Sequence, residues 1–137
     1  MGIVLDSTIF IAGERRGQNA RQILTDIGRR FPGEQAAVSV ISVIELAHGV
    51  ARADSVSRRT ARWNFLSELM SALPIHPITV PIALRAGQID GENVAKGLRL
   101  ALPDLLIGVT ALELGFAVAT SNLRHFQMVP GLKVVMF

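Results

Sequence analysis

Short apolar runs that stop at a polar side chain alternate along this chain with segments of helical periodicity, and few folds accommodate that pattern. The first strand is predicted at Ile3 to Asp6 or Ser7, the second at Ala37–Val40, and a fully apolar one at Phe116–Thr120. Shorter candidates lie at Pro74–Ile78 and Leu132–Met136. Between them, QNARQILTDIGRRF repeats apolar residues at Ala20, Ile23, Leu24, Ile27 and Phe31, and Pro32-Gly33 stops it. Ser42 is predicted to open a helix through Val50, and Ser55–Leu73 another with a stripe of Trp63, Leu66, Leu69, Met70 and Leu73. A helix from Val80 to about Ala86 weakens at Gly87, Asp90 and Gly91, and Gly97–Leu102 reads as a loop. Pro103 is placed as a first helical residue of PDLLIGVTALEL, which Gly115 closes. Four or five strands alternating with helices predict an α/β fold, a mostly parallel sheet covered on both faces.

At 137 residues, half of them hydrophobic, the chain suits one domain over residues 1–137. It contains no Cys, which excludes disulfide scaffolding, thiolate catalysis and Cys-ligated zinc. No basic leader precedes the first apolar run, and the late stretch Leu105–Ser121 is interrupted by Glu113, so a soluble, cytoplasmic protein without membrane association is expected. Lys plus Arg exceeds Asp plus Glu by 14 to 11, and twelve of the bases are Arg, whose planar fork grips phosphate.

Three acids stand beside strand ends or helix starts. Asp6 ends the first strand, where it can cap the following turn or face a ligand at the carboxyl edge of the sheet. Ser42-Val43-Ile44-Glu45 matches a capping box, which would hold Glu45 in the first turn after the second strand without preventing it from binding a metal. Asp104 follows Pro103, where helix-terminal amides favour a negative charge. A fourth polar pair, Ser121-Asn122, follows the apolar strand. Dispersed carboxylates suit Mg²⁺ or Mn²⁺, whereas three scattered His and no Cys suit zinc poorly. Metal-assisted phosphoryl chemistry is the function this pattern supports.

IVLDSTIFI, SVIELAHGV, LPDLLIGVTALELGFAVATSNLRHF and PGLKVV, in that order, make the chain resemble the PIN-domain family, specifically its VapC-type ribonuclease toxins. The resemblance implies a three-layer α/β/α domain, a divalent-metal site and endonucleolytic cleavage of RNA. It also implies a homodimer and a cognate protein antitoxin. On this chain it makes Asp6, Glu45 and Asp104 the metal-holding acids and Asn122 a fourth catalytic position touching water or phosphate. Where some members carry a further acid two positions on, this chain has Arg124.

Arg15, Arg16 and Arg124 are candidates for RNA phosphate, with Arg85 and Arg99 as alternatives. Ser7 and Thr8 can cap the first turn or orient a metal-bound water, and His125 reads as a local loop contact near Asn122. With no Tyr and 5% aromatic residues, a broad stacking platform is not expected. The missing GxGxxG and P-loop disfavour a nucleotide-binding Rossmann enzyme, and no DxD follows the first strand for an aspartyl-phosphate phosphatase. The alternative to a nuclease is a PIN-like module that binds RNA or antitoxin with little turnover.

Overall fold

The computed structural model describes residues 1–137. In chain order its elements are β1 (Gly2–Leu5), α1 (Ser7–Arg15), α2 (Ala20–Arg30), β2 (Gln35–Ser39), α3 (Val40–Ala51), α4 (Val56–Ala72), β3 (Ile75–His76), α5 (Val80–Ala95), α6 (Leu102–Leu114), β4 (Ala117–Thr120) and β5 (Val134–Met136). One turn of 3₁₀ helix spans Leu123–Phe126. The sheet has five strands in the order β3-β2-β1-β4-β5, and every neighbouring pair is parallel. Strand order therefore reverses at β1 and β4, the place where ligands seat in open parallel sheets.

The layers follow from side-chain alternation along β1. Ile3 and Leu5 point into one core with Ile9, Phe10, Ile23, Leu46, Leu66 and Leu69 from α1 to α4. Val4 points the other way, against Ile107 and Ala111 of α6. Helix α5 packs on α6 through Ile82, Ala86 and Ile89. The result is a three-layer α/β/α arrangement. No helix is long and apolar enough to cross a membrane.

Several elements differ from the expectation. Helix α1 occupies a stretch to which the sequence pattern assigns no helix, because its β-branched residues and Gly13 give weak helical propensity. Burial overrides that weakness: Ile9 and Phe10 are fully inaccessible, and Gly13 meets α2 so closely that a Cβ there would run into the side chain of Ile23. Helix α5 continues through Gly87 and Gly91 to Ala95, held by Ile82, Ala86, Ile89 and Asn93 on one buried face. Pro103 occupies the second helical position of α6 rather than the first, after Leu102. Trp63 leaves the α4 stripe and is 52% exposed, its place in the core being taken by Phe65. Gly115 ends α6 in the left-handed region, φ 69°, as its position predicts.

Gly13→Ala tests the α1–α2 contact. Overpacking costs about 1–3 kcal/mol, against a helix-propensity gain of about 1 kcal/mol, and Ile23 is too buried to move cheaply. Denaturant unfolding should show a net loss of stability; an unchanged or higher midpoint would contradict this packing.

Candidate active site

Parallel pairing puts the carboxyl ends of β1, β2 and β4 on one side. Helix α6 leads through Gly115 into β4 and packs back on the sheet, so its first turn returns to that same side. This topology collects Asp6, Glu45, Asp104 and Asn122.

Asp6 is the N-cap residue of α1, yet its side chain makes no capping hydrogen bond. Its carboxylate is committed elsewhere: Oδ2 accepts from Thr8 Oγ1 at 2.7 Å and from Thr120 Oγ1 at 2.9 Å. Only 2% of the residue is exposed, so these hydroxyls replace most of the water a carboxylate needs. Backbone pairing fixes the position, since the Asp6 amide donates to the Ala119 carbonyl at 3.0 Å. The hydroxyls also hold the β4 exit, with Thr8 Oγ1 accepting from Ser121 N–H and Thr120 Oγ1 from Asn122 N–H.

The capping box expected around Glu45 does not form. Ser39 is the N-cap of α3 and accepts from the Ile41 amide, so the helix begins three residues earlier and Glu45 lies in its second turn. Ser42 is buried with its hydroxyl unpartnered. Glu45 instead reaches α1, where Oε1 accepts from Ser7 Oγ at 3.0 Å. Asp104 lies in the first turn of α6, and its Oδ2 is 3.3 Å from His125 Nδ1. The other ring nitrogen, Nε2, is 3.0 Å from Asn122 Nδ2. His125 thus makes the local contact expected with Asn122 and an ion-pair geometry with Asp104 as well.

Burial raises the pKa of both Glu45 and Asp104. For Glu45, the Ser7 hydrogen bond acts against burial, while the charges of Asp6 and Asp104 add to it. For Asp104, His125 opposes burial and Asp6 adds to it. The three carboxylates therefore feel one another, although they belong to β1, α3 and α6.

This donor set suits a hard divalent cation chemically: all oxygen, and electrostatically unfavourable without a compensating positive charge. Its side chains are not closed into a cage. No group of three His, Cys, Asp or Glu is arranged to hold a metal ion, and Asp6, Glu45 and Asp104 are each engaged by protein donors through one oxygen.

Among the arginines, Arg15 is exposed at the end of α1 and lines a cavity shared with Glu45. Arg16 turns aside, donating to Gln18 Oε1 at 3.1 Å. Arg85 pairs with Glu113 at 3.4 Å, so it is engaged away from the acids. Arg124 is exposed in the 3₁₀ turn between Asn122 and His125, and it is His125 that pairs with Asp104. Thr120 was not singled out from sequence; its position as the last residue of an apolar strand, facing the end of β1, is the signal that marks it.

The model of the PIN domain matches residues 3–132. The chain belongs to the PIN-domain family. It is 33% identical over 131 residues to ribonuclease VapC10 of Mycobacterium tuberculosis, covering 96% of this chain and 90% of that one. It is 27% identical over 135 residues to ribonuclease VapC1 of Rickettsia felis, covering 98% and 96%. At the level of the family, this PIN domain is a VapC-type ribonuclease toxin of a toxin–antitoxin system. The structure of VapBC2 from Rickettsia felis bound to a promoter DNA fragment shares its fold, with a TM-score of 0.83 at 21% identity, over 100% of this chain and 99% of that one.

Raised carboxyl pKa values have a defined effect on stability. The folded PIN domain keeps protons that the unfolded chain releases, so ionisation of Glu45 and Asp104 withdraws stability as pH rises from the ordinary carboxylate range through their raised values. Glu45→Gln removes that penalty and keeps an acceptor for Ser7. In chelator at neutral pH the variant should melt at or above the wild type, and the difference should disappear below the titration window. A lower melting temperature at neutral pH would show that the ionised carboxylate is a structural asset.

Proposed function

We propose that this PIN domain is a Mg²⁺-dependent endoribonuclease, the toxin of a toxin–antitoxin pair, that hydrolyses RNA phosphodiesters; Mn²⁺ is the other ion its oxygen donors suit. The observation that carries this reading is the placement of three partly or wholly buried acids, Asp6 at the end of β1, Glu45 on α3 and Asp104 in the first turn of α6, at the switch point of the sheet. Those three side chains would hold the ion, which when bound supplies an activated water and a counter-charge for the phosphate. Thr8 and Thr120 orient Asp6, and Ser7 orients Glu45. His125 sets both Asp104 and the Asn122 amide, leaving Asn122 to position a water or the scissile phosphate. Arg15, exposed at the end of α1, and Arg124, exposed in the 3₁₀ turn, are the phosphate contacts, and Arg16 is a weaker one given its bond to Gln18.

A cognate protein antitoxin restrains the enzyme in this reading, supported by relatives whose solved forms are VapBC assemblies. Exposed Val80 and Leu84 on α5, 72% and 71% accessible, offer apolar surface for the homodimer.

The test is cleavage of a structured RNA pool by purified, antitoxin-free protein in Mg²⁺, in Mn²⁺ and in chelator, with new ends mapped. Chelator should abolish cleavage, and Asp6→Asn, Glu45→Gln and Asp104→Asn should each lower it by about 100-fold or more. Cleavage that survives chelation would overturn the metal dependence, and a variant as active as the wild type would remove its residue from the site.

Arg124→Ala tests the phosphate contact separately. RNA affinity should fall more at low salt than at high, and the slope against salt should shrink by about 0.7. An unchanged affinity and slope would leave Arg124 as a solvent-facing side chain.

A further inference from the structure

Beside Glu45, a cavity of about 230 Å³ opens between α1, α3 and α4. Ile11, Leu46, Phe65 and Leu66 supply its apolar lining, while Glu14, Arg15 and Arg62 supply its charge. The catalytic reading uses neither Glu14 nor Arg62. The cavity is smaller than the roughly 300–1,000 Å³ of a site for a drug-sized molecule, which favours a single planar group over a larger ligand.

Its acid and its inner base come from different helices, Glu14 from α1 and Arg62 from α4. Arg62 is held in place, Nη1 donating to the Gly49 carbonyl at 2.7 Å, and its guanidinium retains further N–H groups. Glu14 is close enough to feel that guanidinium. Burial raises the Glu14 pKa, the Arg62 charge opposes the rise, and no hydrogen bond contributes to holding its carboxylate ionised. A half-buried carboxylate without a donor, next to a fixed guanidinium, favours a ligand that carries donors and acceptors side by side.

We infer that this cavity is a guanine subsite, in which Glu14 accepts from N1–H and the N2 amino group of one unstacked base while Arg62 donates to O6 and N7. Guanine is the base that satisfies both partners in full. It has two adjacent donors for the two carboxylate oxygens, and its O6/N7 edge is the usual bidentate target of Arg. Adenine and cytosine each present one exocyclic amine and uracil one ring N–H, so each leaves a Glu14 oxygen unmatched. Glu45 lines the same cavity, so the captured base would lie next to the proposed cleavage site, with exposed Arg15 at its rim available to the adjoining phosphate. A single base pocket also fits a chain with 5% aromatic residues, which cannot build a row of stacking platforms.

The inference rests on the ribonuclease reading, and two measurements on the full chain separate them. The first is cleavage of short RNAs that differ only in the bases flanking one scissile bond: guanine, inosine, adenine or uracil. Wild type should prefer guanine over adenine by roughly tenfold or more, with inosine between them because it lacks the N2 amine. Glu14→Gln should collapse the guanine-to-adenine ratio, and Arg62→Lys, which keeps the charge but loses the fork, should reduce it. Melting temperatures accompany both variants. The second is titration with GMP and AMP, where GMP should bind more tightly to wild type and lose its advantage in Glu14→Gln. Cleavage without guanine preference, or a preference unchanged in Glu14→Gln, overturns the subsite and leaves the nuclease standing. GMP selectivity that depends on Glu14, in a protein that cleaves no RNA, overturns the nuclease reading and supports the pocket.

Discussion

A carboxylate almost wholly removed from water sits where β1 ends, and much of the surrounding structure serves to make that tolerable. Asp6 can remain there because Thr8 and Thr120 place two hydroxyls on the same oxygen, and those hydroxyls are brought together by parallel pairing of β1 with β4. The same two hydroxyls accept amide protons from Ser121 and Asn122, so the exit from β4 is shaped by the groups that hold Asp6. Loss of the Asp6 charge would therefore disturb a network, whereas loss of the Glu45 charge removes a half-buried group with one hydroxyl partner.

The acids are placed by the fold at some cost to it. Burial raises the pKa of Glu45 and of Asp104, and neighbouring acids add to the rise, the expected sign when like charges are gathered in a partly buried place. Functional sites commonly hold such tension, and the rest of the domain must offset it. Here the offset lies in three apolar clusters: one under α1 to α4, one between α5 and α6, and one between α6 and the sheet. Repulsion at the sheet edge can persist because the elements carrying the acids are fixed by cores on both faces.

What could be read from the sequence follows from where local and tertiary preferences agree. The central strands and the αL glycine that ends α6 were legible, because apolar runs and Gly115 need no distant information. Helix α1 was not, since Ile9 and Phe10 become helical only through burial against other elements. The S-x-x-E pattern at Ser42 led to a false helix start because Ser39, three residues upstream, is itself a competent cap beside the strand end. The positions of the acids at one sheet edge could be expected from topology, whereas the partners could not: Ser7 meets Glu45 across 38 residues and Thr120 meets Asp6 across 114.

His125 shows why those partners matter to the chemistry. It sets Nδ1 against Asp104 and Nε2 against the Asn122 amide, so one ring bridges the late acid and the late amide. In this arrangement Asn122 turns its amide nitrogen towards the ring, and its oxygen is available elsewhere. A rigid ring with a nitrogen on each side can reach the late acid and the late amide at once, and so holds the first turn of α6 and the exit of β4 to one geometry.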